Sequence, residues 1–458
     1  MVELEDIFYI PVRDKYLVYA PLKRVVALVN LKALRQIKEQ LQTDSPALGE
    51  VESLLERLRL QGEPIPVPRT GTLDDPLFLG IIPTRGCNLA CRYCDFAAPK
   101  QTSPVMDIQM VKNGVDAYLD LLTSVGKKRA EIHFFGGEPF YAEKVVHFAV
   151  EYARLQGAAA GIKIHFEAAT NGIYNEARCR WIANQFDTIV LSLDGPADIQ
   201  NCHRPAINGK DAFNIVTRSA HIFSESPLEL IIRACVTSDT VERLPEIAQW
   251  ISKEFRPSAV CFETLKESSL SREAGFEVPT PLAFARNFIN AAQILERSGI
   301  EAVFSTADLR NNRASFCPVG KDALIISPDG TVDACYLLPE DWKRSGLNMQ
   351  LGQLNGASFE FDWDTLQQVR QLVVQNKPLC TDCFCRYHCA GGCHITNATS
   401  GLPGQYESAC VQTRLVTIAL LLREIGQEKL VEEWLSDSEA LAVSAHQSSD
   451  RLFKEAKK

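Results

Sequence analysis

Six short apolar segments recur between residues 77 and 265, and this repeat constrains the fold of the 458-residue chain more than any other feature. Each segment is almost continuously apolar, and helical patterns separate one from the next. Such segments are typical of parallel strands whose two faces are both covered by helices. The sequence therefore predicts an α/β fold, either a partial barrel or a doubly wound sheet, with active groups at the carboxyl ends of the strands. The predicted strands are residues 77–84, 131–137, 163–172, 188–195, 228–236 and 259–265.

The regions on either side of this repeat, which occupies 76–305, differ from it in character. Residues 1–75 contain strand-like runs at 8–12, 16–22 and 25–30, then helical patterns at 31–41 and 47–60 and a proline-rich joint. Residues 306–415 are rich in glycine and cysteine with little periodicity, so we expect this region to need crosslinks or bound metal for its stability. The last region, 416–458, should continue a helix that spans 411–434 and end in a polar tail without regular structure after Leu435.

Composition narrows the classes of function. The chain has 48 Lys and Arg against 57 Asp and Glu, a formal charge of −9, which argues against binding to nucleic-acid backbones. The longest strongly apolar run, 416–422, is far shorter than the ~20 residues of a membrane-spanning helix. We therefore expect no nucleic-acid partner, no membrane partner and a cytoplasmic location. In that compartment the 15 cysteines would more often be metal ligands or catalysts than disulfides.

Three cysteines directly follow the first predicted strand, at Cys87, Cys91 and Cys94 in the segment RGCNLACRYC. Such a spacing arises by chance only roughly 0.016 times in a chain with this cysteine content. Three thiolates from one loop can bind three irons of a cubane cluster and leave the fourth iron open, whereas structural zinc, the alternative, takes four ligands. The loop resembles that of the radical S-adenosylmethionine (SAM) superfamily. In that family SAM chelates the open iron and is cleaved to a 5′-deoxyadenosyl radical.

Further motifs at the ends of the next three strands fit this resemblance. The GGEP segment matches a family motif whose backbone and carboxylate contact the SAM amino group, since glycine permits close approach and a carboxylate complements an ammonium. The TNG and SLDGP segments resemble ribose- and carboxylate-facing positions. Taken alone, each is also an ordinary strand-ending turn, and Arg204 is also an ordinary loop arginine. The SAM-contacting residues implied are Gly136, Gly137, Glu138, Thr170, Asn171, Ser192, Asp194 and Arg204.

A second group of cysteines near the C-terminus has an even more specific spacing, which arises by chance roughly 0.0005 times in such a chain. It resembles the SPASM extension of radical SAM enzymes, which carries up to two auxiliary 4Fe–4S clusters. A zinc ribbon is the alternative for this region. The resemblance assigns a distal cluster to Cys380, Cys383, Cys389 and Cys410, and a proximal cluster to Cys317, Cys335 and Cys393.

Sulfatase-maturating enzymes, which the chain resembles here, have a further cysteine between the positions that match Cys317 and Cys335. This chain has none there, so its proximal set is one thiolate short. Either one proximal iron stays open, which we favour, or Cys385 completes the set. His394 is expected to be structural, with tuning of a cluster as the alternative. The remaining cysteines, Cys179, Cys202, Cys235 and Cys261, are predicted to be core residues.

These resemblances imply a radical SAM/SPASM oxidoreductase with a partial (β/α)6 TIM-type barrel, a small winged-helix-like α+β unit before it and a cysteine-rich extension after it. The cofactors implied are SAM and 4Fe–4S clusters, one SAM-binding and two auxiliary. We expect the enzyme to abstract hydrogen from a ribosomally made precursor peptide and to form an intramolecular crosslink, a thioether or a carbon–carbon cyclophane. The partners implied are the leader of that peptide, bound by the N-terminal unit, and an electron donor of the flavodoxin or ferredoxin type.

Three alternatives stay open at this point. A sulfatase-maturating enzyme would have an Asp base directly after the cysteine that matches Cys335, but Tyr336 occupies that place, and Asp333 is on the wrong alternation of an extended segment. The catalytic base is therefore unassigned. The N-terminal unit can equally be a structural cap over the barrel. Finally, the chain can be a noncatalytic metal-bound adaptor that binds a peptide.

Overall fold

A computed structural model describes residues 6–43, 49–73, 75–94, 96, 104–209, 211–395 and 406–446. In these ranges the strands form two sheets, one of three strands and one of eleven. No helix in this part of the chain combines the length and the apolar character needed to cross a membrane.

The three-stranded antiparallel sheet lies near the N-terminus, and two helices cover one of its faces. Its other face packs into the main core through Phe8, Ile10 and Leu17. The strands agree with those predicted, although residues 47 and 48 of the second predicted helix lie outside the described ranges. The elements are β1 (Phe8–Val12), β2 (Lys15–Ala20), β3 (Val25–Val29), α1 (Leu31–Gln42) and α2 (Glu52–Arg59).

Seven parallel strands and their connecting helices form the barrel, which confirms the α/β fold predicted from the repeat. Six strands fall where the apolar segments predict them. The seventh, β10, has only three residues, none of them buried, so it leaves little apolar signal. The elements are β4 (Leu79–Ile81), α3 (Ile108–Ser124), β5 (Arg129–Phe134), α4 (Glu143–Ala160), β6 (Lys163–Thr170), α5 (Glu176–Gln185), β7 (Thr188–Ser192), α6 (Ala197–His203), α7 (Phe213–Ser224), β8 (Glu229–Val236), α8 (Leu244–Glu254), β9 (Ala259–Thr264), α9 (Ser269–Glu273), α10 (Pro281–Glu296) and β10 (Glu301–Val303).

The cysteine-rich region continues the barrel sheet. Its first strand pairs in parallel with β4, and the next three strands extend the sheet in antiparallel order. The sequence did not predict these strands, because they are only three to six residues long. The elements are β11 (Leu324–Ile326), β12 (Thr331–Asp333), α11 (Pro339–Arg344), β13 (Gln350–Asn355), β14 (Ser358–Phe361), α12 (Trp363–Arg370) and α13 (Arg386–Cys389).

Three helices end the described chain, where the sequence predicted one helix and a tail. The predicted helix breaks at residues 425–427, around Gly426, whose φ of +70° favours glycine. The prediction of no regular structure after Leu435 is wrong for eight residues, because Ala440 and Ser444 are fully buried and anchor a last helix. Residues 447–458 lie outside the described ranges. The helices are α14 (Ser408–Glu424), α15 (Glu428–Leu435) and α16 (Ser438–Ala445).

Candidate active site

The loop that carries the first three cysteines leaves the carboxyl end of β4 and is fixed by backbone hydrogen bonds to the segment after α6. Ala90 N donates to Pro205 O at 2.7 Å, and Arg92 N donates to His203 O at 3.0 Å. Ile207 N donates to Asn88 O at 3.3 Å. These hydrogen bonds hold the loop against the end of α6 and the residues that follow it.

The three thiols of this loop lie close enough to influence one another electrostatically. Burial is the largest cause of the rise in the pKa of Cys87 to about 12, and Glu138 and Cys94 also contribute to it. Burial likewise raises the pKa of Cys91 to about 12, with Cys94 and Cys87 contributing. Such thiols stay protonated at neutral pH unless a metal ion replaces the proton. The site therefore suits a metal centre better than a free nucleophile.

The two glycines after β5 let the chain pack against the cysteine loop. A Cβ on Gly137 would lie 2.3 Å from the carbonyl oxygens of both Arg85 and Gly86. Gly136 has a φ of +143°, and its Cβ would lie 2.4 Å from Thr84 O. The close approach that the sequence predicted toward SAM is thus made first to the backbone of the cysteine loop.

Glu138 is a buried carboxylate, 1% exposed, at the centre of this packing. Its Oε1 accepts hydrogen bonds from Thr170 Oγ1 at 2.8 Å and Phe140 N at 3.1 Å, and its Oε2 accepts one from Asn171 N at 2.7 Å. Burial raises the pKa of Glu138 to about 7 in spite of these hydrogen bonds. A carboxylate has about four acceptor positions, so one remains for a cationic ligand.

Thr170 and Asn171 thus organise the site from β6. Asn171 Nδ2 donates to Asn88 Oδ1 at 2.8 Å and to Cys87 Sγ at 3.5 Å, and Leu89 N donates to the same sulfur at 3.4 Å. Hydrogen bonds to a cluster sulfur tune its reduction potential. In this structure Thr170 contacts Glu138, and Asn171 contacts both Glu138 and the cysteine loop, whereas the sequence assigned the two residues to SAM.

Asp194 and Arg204 pair with each other. The guanidinium donates to Asp194 through Nε and NH2, each at 3.0 Å, and Tyr93 OH donates to it at 2.5 Å. His203 Nδ1 and Cys235 N lie 3.1 and 3.0 Å from the same carboxylate. Burial would raise the pKa of Asp194, but Arg204 and His203 outweigh this effect and lower that pKa. The five contacts fill the acceptor positions of the carboxylate. The hydrogen bond from Tyr93 OH orients this tyrosine, which lies between Cys91 and Cys94 in the chain.

Ser192 ends β7 and pairs in register with Arg233 on β8. Leu230, Ile232 and Ala234 of β8 face the core, so Arg233 points to the opposite face, which is the inside of the barrel. Sequence reasoning missed Arg233. A single charged residue within the apolar segment LELIIRACV was the available signal.

In the second group of cysteines, thiols assigned to the same set affect one another's pKa. Burial raises the pKa of Cys410 above its usual range, and the distal thiols Cys389, Cys383 and Cys380 raise it further. Burial raises the pKa of Cys335 to about 12, with contributions from Cys317 and Cys393 of the proximal set. Arg414 NH1 also donates to Cys383 Sγ at 3.4 Å.

Among the described residues, no three Cys, His, Asp or Glu side chains converge closely enough to enclose a single metal ion. Cluster ligands need not converge in this way, because each thiolate binds a different iron atom. A zinc ion would need four ligands around one point. The assignment of each cysteine to a cluster stays a prediction.

Cys385 lies beside the distal set. It is 2% exposed, its Sγ donates to Thr417 Oγ1 at 3.5 Å, and after burial its pKa responds most to Cys383. This position argues against Cys385 as a proximal ligand. His394 Nε2 lies 3.3 Å from Ser315 Oγ, and burial lowers its pKa to about 3, as suits a neutral structural histidine.

The four cysteines predicted to lie in the core differ in their surroundings. Cys179 is fully buried, as predicted. Cys202 is exposed and lies 3.8 Å from Arg92 NH1, because α6 presents it to solvent beside the cysteine loop. Cys235 and Cys261 are partly exposed, because both alternate with core-facing residues on β8 and β9. The core prediction is therefore wrong for Cys202 and incomplete for the last two.

Asp333 and Tyr336 of the cysteine-rich region lie near Arg85, at the start of the first cysteine loop. Asp333 is 2% exposed, a register irregularity at Val332/Asp333 breaks the expected alternation, and its Oδ1 has no hydrogen-bond partner. Burial raises the pKa of Asp333 to about 7, against the effect of Arg85. The Tyr336 ring packs on Phe135 with centroids 4.5 Å apart. A Cβ on Gly80 would lie 2.8 Å from the Tyr336 hydroxyl.

Two protein-family models and several characterised proteins match parts of this chain. Residues 81–251 match the Radical SAM superfamily, and residues 317–384 match SPASM, an iron–sulfur cluster-binding domain. A cysteine-type anaerobic sulfatase-maturating enzyme of Clostridium perfringens is 23% identical over 69% of this chain and 89% of its own. Mycofactocin maturase MftC of Mycolicibacterium smegmatis is 25% identical over 74% of this chain and 84% of its own.

Solved structures share the fold. The structure of native anSMEcpe with bound AdoMet and Cp18Cys peptide matches with a TM-score of 0.59 and 20% identity, over 79% of this chain and 100% of that one. Streptococcus suis SuiB bound to S-adenosylmethionine matches with a TM-score of 0.50 and 14% identity, over 85% and 95% of the two chains. The Radical SAM match and the maturase relatives set aside the noncatalytic adaptor. The chain contains a Radical SAM domain and a SPASM iron–sulfur domain, and it is an enzyme that uses SAM and 4Fe–4S clusters.

Proposed function

We propose that this enzyme oxidatively modifies a ribosomally made precursor peptide and forms an intramolecular crosslink, with a thioether favoured over a carbon–carbon cyclophane. A peptide substrate is supported by the relatives, which include sulfatase-maturating enzymes and a mycofactocin maturase. The observation that carries the thioether is the proximal set of only three cysteines, since Cys385 lies beside the distal set. A proximal iron with an open position can bind a substrate thiolate.

The proposed reaction joins one C–H and one S–H group and releases two hydrogens in total. When bound, SAM and the clusters supply a radical that takes one hydrogen atom and an acceptor for the electron that remains. The thiol proton leaves when the substrate thiolate forms. Burial raises the pKa of Cys317, and Lys321 and Lys266 act against that rise, so the same positive field would favour a substrate thiolate at the proximal site. An external donor of the flavodoxin or ferredoxin type would reduce the SAM-binding cluster.

Residues at the barrel mouth would hold SAM. Cys87, Cys91 and Cys94 would bind three irons, and the free acceptor position on Glu138 would accept a hydrogen bond from the SAM amino group. Ser192 and Arg233 would bind the SAM carboxylate. Arg233 replaces Arg204 in this role, because the Arg204 guanidinium already binds Asp194.

The N-terminal sheet would bind the leader along β3. The β1–β2 register, with a two-residue turn between Val12 and Lys15, directs the backbone nitrogen of Pro11 outward, so edge strand β1 lacks a donor there. The same alternation directs the N–H groups of Val26 and Leu28 outward from β3. Both faces of the sheet are covered, which leaves this edge for an added strand.

Hydrogen exchange tests the leader site. On addition of the leader, the amides of Val26 and Leu28 should gain protection, while those of Val25 and Ala27, which already pair with β2, should change little. Unchanged exchange at Val26 and Leu28 with a leader that supports turnover would assign the N-terminal unit a structural role only.

The enzymatic proposal is tested with anaerobically reconstituted protein and the short open reading frames next to its gene. The wild-type protein should hold about 10 to 12 irons, cleave SAM under reductant and remove two hydrogens from a cysteine-containing peptide. Cys87→Ala should abolish SAM cleavage, whereas Cys380→Ala should retain some cleavage and lose the product. Full product formation by either variant would contradict the ligand assignment.

Formylglycine formation in a sulfatase is the second candidate, and Asp333 favours it. The sequence placed this residue on the wrong alternation, but the irregularity in β12 leaves its unpartnered Oδ1 buried in the electrostatic reach of Arg85. Asp333 would then serve as the base that Tyr336 cannot supply. A sulfatase peptide that is oxidised by the wild type, and not by Asp333→Asn, would establish this function in place of crosslinking.

A further inference from the structure

Lys377 is a buried lysine in the SPASM region whose neighbours come from both auxiliary cysteine sets. The residue is only 7% exposed. Its backbone carbonyl accepts a hydrogen bond from Cys380 N at 2.9 Å, at the start of the distal ligand loop. Its Nζ donates to Gly391 O at 3.1 Å and to Gly392 O at 3.5 Å.

The two carbonyls bound by Lys377 belong to the turn that connects Cys389, a distal ligand in the proposed assignment, with Cys393, a proximal one. Ala390, Gly391 and Gly392 have φ values of +47°, +77° and +63°. These φ values lie in the left-handed region, which is costly for an L-residue such as Ala390. The turn therefore needs hydrogen bonds from neighbouring residues to stabilise it. A Cβ on Gly391 would lie 2.4 Å from Lys377 Cδ. The glycine therefore makes room for the lysine.

Lys377 contacts both ligand loops, because its backbone carbonyl binds Cys380 N and its Nζ binds the carbonyls of the turn between Cys389 and Cys393. A buried ammonium is costly without a nearby anion. Thiolate-bound iron–sulfur clusters carry net negative charge, and one cation between two clusters stabilises the reduced, more negative form of each.

We propose that the Lys377 ammonium joins the distal and proximal ligand loops and raises the reduction potentials of both auxiliary clusters. The inference rests on the proposed assignment of the two cysteine sets, and not on the identity of the peptide. An electron that leaves the substrate would then meet two acceptors whose potentials one side chain raises together.

The test is redox titration of the anaerobic holoenzyme, followed by electron paramagnetic resonance. In Lys377→Met, both auxiliary clusters should become harder to reduce by about tenfold in the reduction equilibrium, or ~59 mV for a one-electron couple, and the SAM-binding cluster should not shift. Lys377→Arg should restore most of the difference. Lys321→Met is the matched control, because this half-buried lysine interacts electrostatically with Cys317 of the proximal set, so only the proximal potential should fall.

Iron analysis separates this inference from the ligand assignment. If the wild type, but not its Cys317→Ala and Cys380→Ala variants, holds all three clusters, the assignment stands regardless of Lys377. Unchanged potentials in Lys377→Met, or a shift at one auxiliary cluster only, would overturn the inference. Loss of both auxiliary clusters in Lys377→Met with recovery in Lys377→Arg supports it, whereas their loss in both variants overturns it.

Discussion

Removal of the Asp194 carboxylate should destabilise the cysteine loop, which carries Cys87, Cys91 and Cys94, more than any other single change at the site. The carboxylate accepts two hydrogen bonds from Arg204 at 3.0 Å and one from Tyr93 at 2.5 Å. Asp194→Ala leaves a buried arginine without its counter-charge, which costs ~3–5 kcal/mol when one partner of a buried pair is lost. We expect a lower urea midpoint and a loss of iron from the first cluster only.

Two controls separate the charge from the packing. Tyr93→Phe removes one hydrogen bond to a charged group and should cost about 1.5–3 kcal/mol. The double variant Asp194→Ala/Arg204→Met removes the whole ion pair, so it should be more stable than Asp194→Ala alone. The reasoning is refuted if Asp194→Ala unfolds at the wild-type urea concentration with a full complement of iron, or if the double variant is less stable than the single one.

Three further predictions concern the same site. The pKa of Glu138 is raised to about 7 by burial, so the folded protein binds this proton more tightly than the unfolded chain does. Without SAM, the contribution of this proton to the free energy of unfolding is fully present below pH ~4.5. It should be lost as the pH rises through about 7, by on the order of 3 kcal/mol. Urea titrations at several pH values should show this slope for the wild type and not for Glu138→Gln. Asn171→Ala removes a hydrogen bond to Cys87 Sγ and should shift the first cluster to a more negative potential in a redox titration, while an unchanged potential would exclude a tuning role. Gly137→Ala places a Cβ 2.3 Å from two backbone oxygens and should abolish iron binding by the first loop; Gly299→Ala, with no atom within 4 Å of its Cβ, should retain iron despite its positive φ.

The barrel and the presence of iron–sulfur clusters were predictable, because both depend on local signals. Near-continuous apolar segments indicate parallel strands, and fixed cysteine spacings indicate a metal site without knowledge of the fold. The partners of Asp194 and Arg204 were not predictable in the same way. The two residues are ten positions apart, and only the path of α6 after β7 brings the guanidinium to the carboxylate.

Other differences come from interactions that a single strand pattern does not contain. The burial of Asp333 could not be inferred from the alternation of residues along β12, because the register irregularity there depends on the partner strand β13. The place of Cys385 depends on how α13 packs against Thr417 of α14. Arg233 was visible as a charge in an apolar strand, but its role depends on its neighbour Ser192, which belongs to another strand.

The parallel pairing of β11 with β4 has a consequence for evolution and for engineering. The strand that leads into the first cysteine loop obtains backbone hydrogen bonds from the SPASM region along one of its two edges, with Leu79, Gly80 and Ile81 opposite Leu324, Ile325 and Ile326. A truncation before residue 324 would expose that edge to water and to other chains. The C-terminal region therefore cannot be exchanged as an independent cassette, and chimeras between such enzymes should be joined outside this strand pair.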